Sequence, residues 1–124
     1  MTRLRKPVTL RNPETGRALT LTMLVDTGSL LTIVPRDRAE QLGLPVLGHR
    51  EFEQVDRSLV SYEISHVDIT VQGYTAGVTC AFGDEVAEPI LGITALEQLM
   101  LAVDPVNEES VPIRGRLGGS ARPL

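Results

Sequence analysis

The sequence predicts an all-β fold with one or two short helices. Val, Leu and Ile carry most of the 42% apolar composition, and Trp is absent. The 11 Gly and 8 Pro residues favour short strands and turns over long helices. Several segments alternate apolar and polar residues, which is the pattern of a strand with one buried side.

The length and charge of the chain limit its organisation and its partners. A chain of 124 residues suits one domain and buries roughly two thirds of its surface on folding. The net charge of −4 argues against nucleic acid as a partner. Pro7 and Arg11 interrupt the basic start of the chain before any signal-type apolar run. Residues 18–25 are too few and too rich in Thr to span a bilayer, so we expect no membrane partner.

Cysteine and histidine are scarce. Cys80 is the single cysteine, which excludes an internal disulfide and fits a reducing cytoplasm. His49 and His66 stand apart, without the spacing of metal ligands. We therefore expect a cytoplasmic protein with no metal and no cofactor.

The first part of the chain predicts a β-hairpin followed by a strand and a short helix. Residues 7–11 and 17–25 are the two hairpin strands, and the turn Asn-Pro-Glu-Thr-Gly at 12–16 joins them. After a turn at 26–29, residues 31–34 form a second buried strand. Residues 36–42 form a helix that begins after Pro35 and ends before Gly43.

The middle of the chain predicts a second hairpin with its tip at residues 56–59. Beyond the tip, Val60 and Ile64 share one parity, whereas Val67 and Val71 share the other. This change of phase at residues 65–66 indicates either a bulge or a strand whose buried side changes along its length. A hairpin that projects over a cleft and a strand that bends at a sheet corner fit the pattern equally well.

The last part predicts two strands, a helix and a tail. Residues 78–82 alternate as a strand in which Cys80 is a small core residue, and residues 90–91 form a short buried strand. Gly92 allows a close backbone approach. Thr94 caps a helix whose apolar positions are Leu96, Leu99, Met100 and Val103. Residues 111–113 form a last strand, so that a domain of residues 1–113 precedes a flexible tail of residues 114–124.

The turn at 26–29 carries the candidate chemistry. Asp26 lies between the apolar pair Leu24 and Val25 and the apolar stretch 30–34, so its carboxylate is expected to be partly desolvated. Asp-Thr-Gly also occurs in ordinary turns, where Asp only accepts a hydrogen bond from the backbone two residues on. An ordinary surface turn does not need apolar strands on both sides, which favours a functional role.

Residues 24–29 (Leu-Val-Asp-Thr-Gly-Ser), followed by 32–35 (Thr-Ile-Val-Pro), resemble the active-site motif of retropepsin-like aspartic proteases. Residues 90–92 (Ile-Leu-Gly) and the helix after them resemble the family's second conserved element. The resemblance covers roughly residues 7–113 and implies a closed β-barrel with a flap hairpin over the active site. Two features depart from retroviral members: Ile93 stands where they usually carry Arg, and the hairpin tip lacks Gly.

The resemblance implies a homodimer that hydrolyses peptide bonds. Asp26 is the catalytic residue, and because the chain holds one such motif, two copies must meet across a two-fold axis. Thr27 is implied to bond the partner's backbone across this axis. Gly28 brings its N–H to the carboxylate, and Ser29 donates its hydroxyl to it.

The same resemblance implies a cleft between the two copies for extended or unfolded peptides with apolar residues at the cut. The implied apolar walls are Leu30, Leu31, Val60 and Ile90, with Leu91 and Gly92 beside Asp26. The hairpin tip closes over the cleft and excludes water, and its residues are Asp56, Arg57, Ser58, Leu59 and Val60.

Two other interpretations remain open. The first is a dimeric binding or assembly module with the same fold and no catalysis, which the missing Arg and the tip without Gly favour. The second is a monomeric β-barrel in which Asp26 only caps a turn. The molecular mass in solution separates the monomer from the two dimers, and peptide cleavage that is lost in Asp26→Asn separates the enzyme from the binding module.

Overall fold

The structure, a computed structural model, describes residues 4–118, in which short strands predominate. Nine strands and two helices follow in the order β1 (Arg5–Arg11), β2 (Ala18–Val25), β3 (Thr32–Pro35), α1 (Arg36–Leu42), β4 (Gly48–Glu53), β5 (Leu59–Val71), β6 (Tyr74–Gly83), β7 (Ile90–Leu91), α2 (Ile93–Leu99), β8 (Leu101–Asp104) and β9 (Glu109–Pro112). The all-β prediction with two short helices is confirmed.

Six of the strands close into a barrel. Their order is β1-β2-β7-β3-β6-β5, and β5 pairs with β1 to complete the ring. The short strand β7 lies parallel to β2 and antiparallel to β3, so the ring is a mixed sheet. β4 pairs with β5 as a further strand beside the ring. The closed barrel that the family resemblance implies is therefore present.

The hairpin β1–β2 forms as the sequence predicts. All seven residues of β1 pair with β2, from Arg5 opposite Leu24 to Arg11 opposite Ala18. The turn between them depends on the buried side chain of Asn12, which accepts N–H bonds from Glu14 and Thr15 at 2.9 and 3.3 Å. Its amide also donates to the carbonyl oxygens of Leu42 and Gly43, which ties the turn to the end of α1.

β5 explains the change of phase in the sequence. Its register with β4 and with β6 is unbroken, so no bulge is present in this strand. Its second half, with Val67, Ile69 and Val71 fully buried, belongs to the barrel. Its first half pairs with β4 and turns the other side of the strand, with Tyr62, toward a cleft. Of the two alternatives that the sequence left open, a bulge and a strand whose buried side changes along its length, the structure shows the second.

The two helices differ in how well the sequence predicts them. α1 spans the predicted residues and ends at Gly43, whose left-handed conformation (φ 68°) suits glycine. The prediction for α2 was wrong at both ends. Thr94 lies inside the helix rather than at its cap, and Met100 takes a left-handed conformation (φ 56°) that ends it. Val103 instead lies in β8, where it pairs with Ser110 of β9.

The hydrophobic core fills the barrel and extends beneath the helices. Its largest fully buried apolar side chains are Leu10, Met23, Leu42, Ile69, Leu91 and Leu96. The β8–β9 hairpin is joined to the barrel through buried Ser110, whose hydroxyl bonds the Gln72 side chain and whose carbonyl accepts its amide at 3.2 Å. The last strand, β9, begins two residues before the predicted position.

The remaining findings concern the ends of the chain and membranes. Residues 114–118 hold no helix or strand, and the rest of the predicted tail lies outside the described residues. The division into a domain of residues 1–113 and a flexible tail stays a prediction. Neither helix within residues 4–118 is long and apolar enough to cross a membrane.

Candidate active site

Asp26 lies directly after β2, where the two sequence motifs meet. Leu24 and Val25 pair in parallel with Ile90 and Leu91. The backbone N–H of Asp26 continues this ladder by donating to the carbonyl of Leu91 at 3.0 Å. Leu24 and Val25 are therefore held in the barrel, which places the carboxylate of Asp26 at the edge of the sheet, where Asp26 is half-buried.

The turn holds the Asp26 carboxylate in one orientation. The N–H of Gly28 donates to its Oδ1 at 2.9 Å, and the N–H of Ser29 donates to its backbone carbonyl at 3.2 Å. A Cβ at residue 28 would lie 3.2 Å from that Oδ1, so glycine leaves the room that this contact needs. Thr27, at the outside of the turn, is exposed.

Gly92 brings the start of α2 against the strand that follows the turn. A Cβ at this position would lie 2.4 Å from the carbonyl oxygen of Leu31, which leaves no room for any other residue. The N–H of Gly92 donates to the fully buried hydroxyl of Thr32 at 3.1 Å. The close approach that the sequence predicts at Gly92 is thus a contact between backbones.

The first N–H groups of α2 also bond this turn. Ile93 donates to the carbonyl of Ser29 at 2.8 Å, and Thr94 donates its N–H and its hydroxyl to the carbonyl of Leu30 at 3.2 and 2.7 Å. The first N–H groups of a helix lack partners within the helix, so the turn satisfies them. Residues 29–31 are therefore held in place by the start of α2 and by the strand β3 that follows them.

A cleft of about 790 Å³ lies between this turn and the β4–β5 hairpin. Its walls combine apolar side chains from the barrel with acidic, polar, apolar and aromatic side chains from the hairpin. The lining residues are Asp26, Gly28, Ser29, Leu30, Leu31, Ile33, Phe52, Glu53, Gln54, Val55, Asp56, Tyr62, Ala81 and Ile90. An open cleft of this size with a carboxylate in its wall suits a ligand that is mostly apolar with a few polar groups.

Comparison with known protein families matches residues 8–95 to the family described as aspartyl protease. The match includes the Asp26 turn, the β4–β5 hairpin and β7. The chain belongs to the aspartyl protease family. This finding, with the closed barrel, confirms the resemblance to retropepsin-like enzymes. A search of the curated proteins found no match to the chain.

Seven of the site residues predicted from the sequence line the cleft. They come from the Asp26 turn, the hairpin tip and β7, and are Asp26, Gly28, Ser29, Leu30, Leu31, Asp56 and Ile90. The others lie beside it. Leu91 and Gly92 are buried behind the wall, whereas Thr27, Arg57, Ser58, Leu59 and Val60 are exposed or half-buried outside the lining.

One predicted contact differs in the structure. The hydroxyl of Ser29 donates to the carbonyl of Leu31 at 2.8 Å, rather than to the Asp26 carboxylate. The bond two residues on is the local contact that a Ser side chain makes readily at a turn. Within this chain, Ser29 thus stabilises the turn, and Gly28 provides the contact with the carboxylate.

Sequence reasoning missed the contribution of β4 to the cleft. Phe52 pairs with Val60 across the hairpin, and its ring contacts Tyr62 edge-on with centroids 5.8 Å apart. Both rings line the cleft, together with Glu53 from the end of β4. Tyr62 has the same parity as Val60 and Ile64 in the strand, and this alternation could have indicated that its side chain faces the cleft. Residues 49–56 are too polar to show alternation, so Phe52 and Glu53 had no such signal.

The hairpin tip forms a tight turn without glycine. The N–H of Ser58 donates to Asp56 Oδ1 at 2.9 Å, and the N–H of Gln54 donates to the carbonyl of Ser58 at 2.9 Å, which closes the turn. Arg57 takes the left-handed conformation (φ 68°) at the position where a glycine would be expected. The hydrogen bonds from the Ser58 hydroxyl and N–H lower the pKa of Asp56.

Neither the cysteine nor the possible metal ligands among residues 4–118 form a second reactive site. Cys80 is fully buried, and burial raises the pKa of its thiol to about 12, so the thiol is protonated at neutral pH. Among residues 4–118, no group of three or more His, Cys, Asp or Glu side chains is arranged to hold a metal ion.

Proposed function

We propose that the protein is a homodimeric aspartic endopeptidase that cleaves extended peptide segments. The observation that carries this proposal is the Asp26 carboxylate, oriented by the Gly28 N–H in the wall of an open cleft. Membership of the aspartyl protease family supports the same activity.

The chemistry requires a second carboxylate that this chain does not hold in a matching motif. Two carboxylates about 3 Å apart cannot both ionise, so one keeps a proton and the other acts as a base. The sequence contains one Asp-Thr-Gly, at residues 26–28. Two copies must therefore place their Asp26 side chains together, and a two-fold axis between the turns is the simplest arrangement that does so.

The reaction then follows from the protonation of the pair. The ionised Asp26 accepts a proton from a water molecule, whose oxygen attacks the carbonyl carbon of the substrate. The protonated Asp26 of the second copy donates its proton to the carbonyl oxygen, which gives a tetrahedral diol. The first Asp26, now protonated, donates this proton to the amide nitrogen while the second Asp26 accepts a proton from one hydroxyl of the diol. The C–N bond then breaks, an amine and a carboxylic acid are released, and the protonation of the pair is restored.

The exposed Thr27 is proposed to stabilise the pairing of the two turns. Its position next to Asp26 and its exposure leave the hydroxyl available to a partner. Thr27→Ala should therefore weaken dimerisation more than it changes the free energy of unfolding. Sedimentation equilibrium measures the first quantity, and an unchanged dimer dissociation constant would remove Thr27 from the interface.

The proposal is tested by peptide cleavage with wild type and Asp26→Asn. Denatured casein is the substrate, from about pH 4 to about pH 7, with and without pepstatin. We expect the wild type to cleave and pepstatin to inhibit it. The variant should lose the activity because an amide neither accepts nor shares the proton. Asp37→Asn on the exposed face of α1 makes the same chemical change away from the cleft and should keep full activity.

The same assay gives the pH dependence. The shared proton is lost as the pH rises through the second titration of the pair, so activity should fall above neutral pH. Activity that rises steadily into the alkaline range would contradict the two-carboxylate mechanism. No cleavage by a verified dimer would favour a non-catalytic peptide-binding or assembly module with the same fold.

A further inference from the structure

We propose that the cleft selects peptides in which basic residues flank the apolar residues at the cut, and that Glu53 and Asp56 recognise them. This inference rests on the proposed function and names its substrate class. It follows from the charge of the lining residues and from their position in the cleft.

The ionisable side chains that line the cleft are all acidic. Besides Asp26, the ionisable side chains that line it are Glu53 and Asp56, both exposed at the end of the β4–β5 hairpin. No Lys, Arg or His from residues 4–118 lines the cleft. A concave surface lined by one sign of charge attracts ligands of the opposite sign.

These two carboxylates are not neutralised within the described part of the chain. The ion pairs there join Arg5 to Glu88 and Arg36 to Glu63. Arg57, adjacent in sequence to Asp56, lies outside the lining. Glu53 and Asp56 therefore remain available to cationic groups of a ligand.

The charge of Asp56 persists where aspartic catalysis operates. Hydrogen bonds from Ser58 lower the pKa of Asp56 below its ordinary value of 3.8. Its carboxylate is thus ionised throughout the acid-to-neutral range, in which a basic side chain is fully protonated.

The acids and the apolar wall beside Asp26 come from different elements of the fold. The apolar residues nearest to Asp26 in the chain or the sheet are Leu30, Leu31 and Ile90, whereas both acids belong to residues 53–56 of the hairpin. An extended ligand that places apolar side chains against Leu30, Leu31 and Ile90 will therefore meet the acids of the hairpin with other residues of the same segment. In a symmetric dimer each copy contributes one such pair, so basic residues on both sides of the cut are favoured.

The test uses three peptides with the same apolar centre of Leu and Phe, flanked on both sides by Lys, by Gln or by Glu. The wild type should cleave the Lys peptide with a kcat/KM roughly threefold to tenfold above that of the Glu peptide, with the Gln peptide between them. This ratio should fall as salt is raised from about 0.05 M to about 0.5 M, because ions screen exposed charges.

Two variants assign the preference to the named residues. Glu53→Gln combined with Asp56→Asn should bring the ratio of the Lys and Glu peptides close to one, and the Asn oxygen still accepts the Ser58 N–H. Glu51→Gln is the matched control, because Glu51 lies on the same strand, is exposed and does not line the cleft. It should keep the wild-type ratio.

Binding of the same peptides to the inactive Asp26→Asn protein, by fluorescence anisotropy, separates the two proposals. Preferential binding of the Lys peptide without any cleavage by the wild type supports this inference and overturns the enzymatic function. Cleavage of all three peptides at equal rates overturns the inference alone. A preference that the double variant keeps, or that Glu51→Gln removes, overturns the assignment to Glu53 and Asp56. Failure of the protein to bind any of the three peptides overturns that assignment as well.

Discussion

Thr32→Val tests the bond that joins the Asp26 turn, through β3, to the start of α2. The hydroxyl of Thr32 is fully buried and accepts the N–H of Gly92 at 3.1 Å. Valine has nearly the same shape, so the core remains filled while the acceptor is removed. The N–H of Gly92 then stays without a partner, because Gly92 is itself buried.

The cost follows from this single unpaired group. A buried donor left without an acceptor destabilises a protein by about 1–3 kcal/mol. The entropy of unfolding of a 124-residue chain is about 0.26 kcal/mol per kelvin, so the Tm should fall by about 4–12 °C. Differential scanning calorimetry and urea denaturation measure both quantities.

Thr20→Val provides the matched control. Thr20 is exposed on β2, and its hydroxyl contacts that of Thr9 at 3.0 Å, where water is able to replace either group. Its replacement should change the free energy of unfolding by less than about 0.5 kcal/mol. Equal effects of the two substitutions would refute the argument that the buried bond to Gly92 holds the site together.

Three further predictions concern stability. Gly92→Ala should lower the free energy of unfolding by about 3 kcal/mol or more, or prevent folding, since the new Cβ would lie 2.4 Å from the carbonyl oxygen of Leu31. Gly118→Ala is the control and should leave the stability unchanged, because a Cβ at residue 118 meets no other atom within 4 Å. Asn12→Ala should cost about 2–3 kcal/mol in urea denaturation, because the buried Asn12 side chain makes four hydrogen bonds that are then lost. For Cys80, the folded pKa of about 12 exceeds the ordinary value of 9.0, so the free energy of unfolding should fall as pH rises above 9.0. That decrease should be smaller in Cys80→Ala.

Controls and contrary results are available for each. Asn107→Ala removes an exposed turn amide and should cost less than about 0.5 kcal/mol, so a loss equal to that of Asn12→Ala would contradict the role of burial. A well-folded Gly92→Ala protein would show that the β3 backbone yields to a methyl group. A pH dependence that is identical with and without Cys80 would mean that the buried thiol does not couple to folding.

The sequence correctly predicted the elements whose residues carry a clear local pattern. The β1–β2 hairpin has alternation and a turn rich in Pro and Gly, and α1 has Pro before it and Gly after it. The short strand β7 was predicted because two apolar residues precede a glycine. The family's second motif then indicated that this strand lies beside Asp26, which the parallel pairing of Val25 and Leu91 bears out.

The parts that were missed depend on contacts between distant segments. Leu96, Leu99 and Val103 have helical spacing, but pairing of β8 with β9 and the left-handed Met100 end the helix earlier. The hydroxyl of Thr94 bonds the Leu30 carbonyl, a contact that exists only because α2 lies against the Asp26 turn. Phe52 enters the cleft from a polar strand, so its position follows from its pairing with Val60 rather than from its neighbours in the sequence.

A subunit-mixing experiment tests whether one active site uses Asp26 from two copies. Wild type and Asp26→Asn are unfolded together in equal amounts, refolded, and assayed at constant total protein. If both carboxylates of a dimer are required, mixed dimers are inactive and the activity should be about one quarter of the wild-type value. An activity of about one half would show that each chain acts on its own, and would contradict the account.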